Sequence, residues 1–309
     1  MKFSGIIPPV VTLFDTEGNL DLDLNKIYIN QLLQHGINGV LLAGSSGEFT
    51  SLTMKERKIY VSEMIKTIDK RVSVLVGIGH TALKDVLELC SHAEENGADG
   101  VLVVNPYYWH LSEEQLFNFY SIIAENTKLP VLLYNIPSFS GQSLSVELVK
   151  ELATKYPNIC GIKETVSEIG EIREMITEVS KVRKDFMVFS AFDEHVLPAL
   201  MVGSAGSING SSVFAPEISV DLFESYRKGD LSKAEKNHKV LSDLMVFYKF
   251  CPSFFTTMKE AVHQRWLNEK TGHRAPFDVY PKDLPEKVSS LLKSMKIEKK
   301  TDNSELTLK

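Results

Sequence analysis

Short apolar runs recur along the chain, with helical stretches between them, at residues 6–13, 39–42, 73–78, 100–104, 130–134, 160–163, 186–190 and 206–209. Their starts lie roughly 20 to 35 residues apart, the length of one strand–helix unit. The runs are continuous rather than alternating, which suits parallel strands covered on both faces. Two junctions nearly repeat each other, Gly36-Ile37-Asn38-Gly39-Val40-Leu41 and Gly97-Ala98-Asp99-Gly100-Val101-Leu102. In each, the first glycine can end a helix in the left-handed conformation, and a turn residue and second glycine lead into a strand. Helix starts read as capping boxes at Thr53-Met54-Lys55-Glu56, Ser112-Glu113-Glu114-Gln115 and Ser232-Lys233-Ala234-Glu235. Eight strands, each followed by a helix, predict an α/β fold of the (β/α)8 TIM barrel type, with an open doubly wound sheet as the alternative.

After about residue 216 the strand pattern stops. Helical patterns follow at 220–227, 232–250, 254–267 and 285–295, with Pro252 and Pro276 as breaks. The expected organisation is a catalytic barrel over 1–228, a helical extension over 229–296, and a polar, disordered tail over 297–309. The 309 residues leave room for one large α/β domain or two ordinary ones.

A net charge of −6 and a pI of about 5.8 argue against a nucleic-acid or anionic-membrane surface. Cys90, Cys160 and Cys251 show no C-x-x-C spacing, so neither a disulfide framework nor a zinc site is indicated. The N-terminal stretch is broken by Pro8-Pro9 and makes a poor signal peptide, and no apolar run is long enough to span a bilayer. A cytoplasmic protein is the expectation.

In a barrel, chemistry gathers at the C-terminal ends of the strands. Lys163 stands there, in Cys160-Gly161-Ile162-Lys163-Glu164. A lysine losing hydration is a usable nucleophile toward a ketone, though a lysine just past a strand can also snorkel to water. The second strand runs into Ala43-Gly44-Ser45-Ser46-Gly47-Glu48-Phe49, a tight loop able to hold a small anion or simply to turn the chain. The fifth ends in Tyr134-Asn135-Ile136-Pro137, whose tyrosine can pass protons or only pack. The fourth ends in the aromatic patch Tyr107-Tyr108-Trp109, and the seventh in Asp193-Glu194-His195, where adjacent carboxylates suit hydroxyl groups or a solvated loop. Gly77-Ile78-Gly79 lacks the third glycine of a dinucleotide fingerprint, and the eight histidines show no metal spacing.

Taken in order, Gly44-Ser45-Ser46-Gly47-Glu48, Tyr134-Asn135-Ile136-Pro137 and Gly161-Ile162-Lys163-Glu164 resemble the pyruvate-dependent class I aldolases. This is the dihydrodipicolinate synthase and N-acetylneuraminate lyase family. The resemblance runs from Gly5 through the helical extension. It implies a barrel with C-terminal helices, a homotetramer built as a dimer of dimers, and no metal or organic cofactor. By position, Lys163 matches the Schiff-base lysine and Tyr134 the proton-shuttling tyrosine. Ser45 and Ser46, with Gly47, match the loop that binds the pyruvyl carboxylate, and Ser45 would join Tyr134 in a relay. Tyr108 matches the tyrosine supplied to a neighbouring subunit's relay, and Ile208 a residue whose backbone carbonyl lies near the ketoacid.

The departures choose among the members. Dihydrodipicolinate synthases carry an arginine two residues after the proline of the Tyr-Asn-x-Pro motif, and this chain has Phe139 there. Losing a bidentate cation from a carboxylate site is not conservative. The segments around Glu48, Trp109 and Asp193 look instead like bacterial 2-keto-3-deoxygluconate-type aldolases, in which the acidic pair, here Asp193 and Glu194, would contact substrate hydroxyls. The expected activity is therefore reversible cleavage of a 2-keto-3-deoxy sugar acid to pyruvate and an aldehyde. Dihydrodipicolinate synthase and N-acetylneuraminate lyase are the alternatives.

Overall fold

The structure, a computed structural model, describes residues 3–269 and 271–297. Eight strands, β1 (Gly5–Ile6), β2 (Gly39–Leu42), β3 (Ser73–Gly77), β4 (Gly100–Val104), β5 (Val131–Asn135), β6 (Ile159–Glu164), β7 (Met187–Ser190) and β8 (Gly206–Ser207), form one parallel sheet. Their order is β1-β8-β7-β6-β5-β4-β3-β2. The ring then closes between the chain after β1 and β2. The Val10 N–H donates to the Leu41 carbonyl at 3.1 Å, and the Leu41 N–H donates to the Pro8 carbonyl at 2.9 Å. The fold is a TIM barrel rather than an open sheet. β1 is much shorter than the apolar run 6–13, because Pro8 and Pro9 have no N–H to continue a ladder.

Helices alternate with the strands and bury one face against the outside of the barrel. Tyr28 and Leu32 of Leu22–Leu33, Tyr60 and Met64 of Met54–Ile68, and Ile172 of Ile169–Val179 belong to that outer core. Inward-facing residues form a second, smaller core, with Leu41, Leu75, Leu102, Leu132, Met187 and Phe189 filling the interior. Alternation along β5 and β6 sends Leu132 and Tyr134 inward. Leu132 pairs with Gly161 and Tyr134 with Lys163, so Lys163 also points into the barrel.

Local rules account for most element ends. Thr53 and Ser112 form the capping boxes their sequences predict. Ser232 does not: the helix begins at Leu231, and the Asp230 carboxylate accepts the Lys233 N–H at 3.0 Å. An ionised acceptor at the helix start is favoured by the backbone dipole, so the cap moves to Asp230. Gly36 and Gly97 take φ of +71° and +84°, as the repeated junction requires. The turn residue after each glycine stitches the strand before it: Asn38 accepts from the Ile6 N–H and Asp99 from the Val74 N–H, both at 2.9 Å.

Beyond the barrel, Leu231–Leu244 runs into a 3₁₀ turn, Met245–Lys249, in place of one helix over 232–250. Helices Phe254–Trp266 and Leu284–Ser294 follow. Ile297 is buried, and the rest of the expected tail lies outside the described residues. Among the described residues no helix is long and apolar enough to cross a membrane.

Candidate active site

Lys163 reaches the barrel interior near the C-terminal end of β6, directly across the ladder from Tyr134 on β5. It is only 4% exposed. Its ammonium donates to Tyr134 Oη at 3.4 Å and lies 4.4 Å from the centre of that ring. Tyr134 Oη is in turn 3.4 Å from Ser45 Oγ. The contacts are long for hydrogen bonds and tighten readily when a substrate fills the site. All three groups line one cavity of about 250 Å³, which Ser46, Phe139 and Ile208 also face. The sequence-predicted core of the site is thus brought together in one place.

The serine loop is held from outside the cavity. Ala43 and Glu48 bracket it with φ of +52° and +48°, a left-handed conformation costing a non-glycine residue roughly 1–2 kcal/mol. Gly47 does not line the Lys163 cavity; its carbonyl accepts from Thr12 Oγ1 at 2.8 Å and its N–H donates to the Gly44 carbonyl at 3.0 Å. The fully buried Glu48 carboxylate pairs with the fully buried ammonium of Lys259, from helix Phe254–Trp266. Burial pushes the Glu48 carboxyl up and the Lys259 ammonium down, and each charge pulls the other back. The pair ties the loop carrying Ser45 and Ser46 to the helical extension.

Asp193 is placed differently from its sequence expectation. It is completely buried and does not line the Lys163 cavity; its carboxylate is engaged from several sides. It accepts from Asn209 Nδ2 at 2.6 Å, from the Ser211 N–H at 3.1 Å, from the Ser211 hydroxyl, and from Tyr248 Oη at 3.0 Å. Burial raises the Asp193 carboxyl above its usual range and these donors pull it down. Tyr248 is the residue that faces the cavity, its phenol pushed well up by burial and by the Asp193 charge. Its ring stacks on Phe247 at 3.9 Å and meets Phe192 edge-on at 6.3 Å. Gly210 permits this placement, since a Cβ there would lie 2.0 Å from Tyr248 Oη. Glu194 is exposed, beside His195 and His238, and does not line the cavity.

Two further positions were not singled out by the sequence. Glu164, the residue after Lys163, points outward into the helix layer, and burial pushes its carboxyl up to about 7. It accepts from Asn135 Nδ2 at 2.8 Å, and Asn135 Oδ1 accepts the Leu144 N–H at 3.1 Å. That chain of bonds joins β5 and β6 one step beyond the Tyr134–Lys163 pair. Thr165 lines the cavity, and its buried hydroxyl has no partner among the described residues. Tyr248 and Lys259 had no sequence signal, lying on elements whose approach to the barrel mouth is a tertiary event. Glu164 and Thr165 stood beside Lys163 in the motif but carry no local pattern of their own.

Phe139 lies at the cavity rim, 59% exposed, its ring stacked on Phe254 at 5.9 Å and 17°. Among the described residues lining the cavity, Lys163 is the only Lys, Arg or His. Tyr108, at φ +92°, projects from the molecule 84% exposed, edge-on to Trp109 at 5.1 Å, and does not reach Tyr134 of its own chain. Among the described residues no three His, Cys, Asp or Glu side chains are placed to hold a metal ion.

A buried lysine beside a tyrosine and a serine hydroxyl, inside the C-terminal mouth of a TIM barrel, defines the lyases that work through a lysine imine. The chain belongs to the dihydrodipicolinate synthetase family, whose sequence pattern matches residues 2–295. It is 40% identical over 260 residues to YagE of Escherichia coli K12, provisionally named a 2-dehydro-3-deoxy-D-gluconate aldolase, covering 84% of this chain and 86% of that protein. It is 36% identical over 291 residues to YjhH of the same organism, provisionally named a 2-dehydro-3-deoxy-D-pentonate aldolase, covering 94% and 97%. The crystal structure of YagE with pyruvate matches with a TM-score of 0.92 and 36% identity, over 96% of this chain and 99% of that one. Dihydrodipicolinate synthase of Thermotoga maritima matches with a TM-score of 0.89 and 31% identity, over 96% and 99%.

Proposed function

We propose that this protein is a carbon–carbon lyase that reversibly cleaves a 2-keto-3-deoxy sugar acid to pyruvate and an aldehyde through an imine on Lys163. The Lys163 amine adds to the C2 ketone and water leaves, giving an iminium. Tyr134 takes the proton of the C4 hydroxyl as the C3–C4 bond breaks, and those electrons pass into the iminium. An aldehyde departs and a pyruvate enamine remains, which is protonated at C3 and hydrolysed to pyruvate. No metal or organic cofactor is required, because the iminium is the electron sink. Ser45 relays protons to and from Tyr134, while Ser46 holds the carboxylate and the Ile208 backbone lies along the ketoacid. Fixing reactants in this way is worth roughly 7–11 kcal/mol of a barrier.

One observation carries the reading: Lys163 Nζ, Tyr134 Oη and Ser45 Oγ follow one another at 3.4 Å steps along a single cavity. Sugar-acid substrates rather than aspartate semialdehyde are supported by Phe139, which puts an aromatic ring where a second carboxylate would need a cation. The names of YagE and YjhH agree with that choice. Asp193 serves the hydroxylated tail through Tyr248 rather than by direct contact. The working form is a cytoplasmic homotetramer in which Tyr108 enters the relay of a neighbouring subunit.

Borohydride reduction with pyruvate, followed by peptide mass mapping, is the test. A pyruvyl adduct confined to Lys163, lost in Lys163→Arg, is the expected result; a protein with no adduct at any lysine is not this enzyme.

A further inference from the structure

The 250 Å³ cavity at Lys163 opens into a second one of about 660 Å³, and the two share Ser45, Ile136, Ser138, Phe139 and Phe254. Whatever projects from a ketoacid held at Lys163 therefore enters the outer space. Six aromatic side chains dominate its walls, with serine and threonine hydroxyls between them. Phe139 stacks on Phe254, Phe254 meets Phe255 at 5.7 Å, and Phe255 meets Phe277 edge-on at 4.9 Å and 83°. Phe49 and Tyr107 add a second edge-on pair at 6.2 Å. A phenylalanine as exposed as Phe139, set in a concave apolar wall, marks a surface that a ligand covers.

The charge of this space is as informative as its shape. Among the described residues no Lys, Arg or His lines it. Arg57 lies 5.1 Å from the Phe49 ring, but its guanidinium is buried and donates to the carbonyls of Gly79 and Gly77 at 2.8 and 2.9 Å. The one carboxylate, Glu48, is paired with Lys259. A phosphate or second carboxylate on the tail would meet no counter-charge, whereas a ring would find offset and edge-to-face partners.

We infer that the outer cavity is an aldehyde subsite for uncharged aldehydes bearing an aryl or branched alkyl group, so that the enzyme joins pyruvate to these as well as to hydroxylated aldehydes. The inference rests on the Lys163 chemistry proposed above. With benzaldehyde, the terminal CH2 carbon (C3) of the pyruvate enamine bonds to the aldehyde carbon, the iminium re-forms and the aldehyde oxygen takes a proton. Hydrolysis of the iminium then releases 4-hydroxy-2-oxo-4-phenylbutanoate and frees Lys163, with no net oxidation or reduction.

The experiment compares benzaldehyde, D-glyceraldehyde and D-glyceraldehyde 3-phosphate as partners of pyruvate, measuring product formation and kcat/KM. Benzaldehyde should be used with a kcat/KM within about tenfold of glyceraldehyde, and the phosphorylated aldehyde should fall below both. Phe255→Ser and Phe277→Ser should each lower the benzaldehyde-to-glyceraldehyde ratio about tenfold or more, a readout that partial unfolding does not move. Benzaldehyde left unconsumed while glyceraldehyde reacts, or a ratio unchanged in both variants, overturns the subsite. Borohydride trapping of pyruvate separates the two failures: an adduct on Lys163 without aryl turnover removes only the subsite, and no adduct removes the lysine chemistry beneath it.

Discussion

The residue next to Lys163 shows how sharply one step along a strand changes a side chain's surroundings. Lys163 faces the cavity, while Glu164 faces the helix layer, where burial pushes its carboxyl up to about 7 from an ordinary 4.5. A carboxyl raised in the fold stabilises the protein fully below the unfolded value, and that contribution is lost as pH climbs through the folded value. The window here runs from about pH 4.5 to about pH 7. Glu164→Gln keeps an acceptor for Asn135 and removes the ionisation. It should leave stability near wild type at pH 4.5 and exceed it at pH 8 by up to about 3 kcal/mol. Urea midpoints across that range would show the gap widening with pH, and a gap of constant size would exclude Glu164 as its source. Asp193 and Tyr248 invite a different measurement. If Asp193 acts through Tyr248, Asp193→Asn and Tyr248→Phe should impair kcat/KM for hydroxylated aldehydes non-additively, the double variant costing little more than the worse single one. Additive losses would mean that the carboxylate meets the substrate itself.

At the scale of elements, the buried Glu48–Lys259 pair joins the serine loop to helix Phe254–Trp266. Removing one partner strands a charge in a dry interior, at a cost of about 3–5 kcal/mol. Lys259→Met should lower stability by that order and raise the KM for pyruvate, because the serine loop loses its tie to helix Phe254–Trp266. Glu48→Gln combined with Lys259→Met should recover much of the stability but not the KM. Calorimetry and steady-state kinetics check the two halves, and an unchanged KM in Lys259→Met would show that the loop stands without the pair. This contact also marks what the sequence could say. Strand runs, the Gly36 and Gly97 junctions and the Thr53 and Ser112 boxes were legible because each is a rule over a few neighbouring residues. Ser232 misled because Asp230, two residues earlier, offered a charged cap to the same helix end. Lys163, Tyr134 and Ser45 were legible through ordered motifs at strand ends. The burial of Asp193 beneath Tyr248, and the reach of Lys259 to Glu48, depend on how the extension docks on the barrel, which no local pattern encodes.

The whole molecule raises the question of where Tyr108 acts. A tyrosine at φ +92° and 84% exposed bears backbone strain. With Trp109, 73% exposed, it forms an apolar projection suited to a partner surface. In the proposed tetramer that partner is a second copy, and Tyr108 completes the neighbour's relay at Tyr134. The arrangement can be tested by complementation. Lys163→Arg subunits have no nucleophile but an intact Tyr108, and Tyr108→Phe subunits have the reverse. Dissociated, mixed in equal amounts and reassembled in symmetric pairs, they should give about one quarter of wild-type activity, since half the pairs are hybrid and each hybrid has one complete site. Each parent alone should stay far below that value, and light scattering should report tetramers throughout. Activity in the mixture equal to the mean of the two parents would place Tyr108 outside the relay and leave the pair Tyr134–Ser45 to pass protons within one subunit.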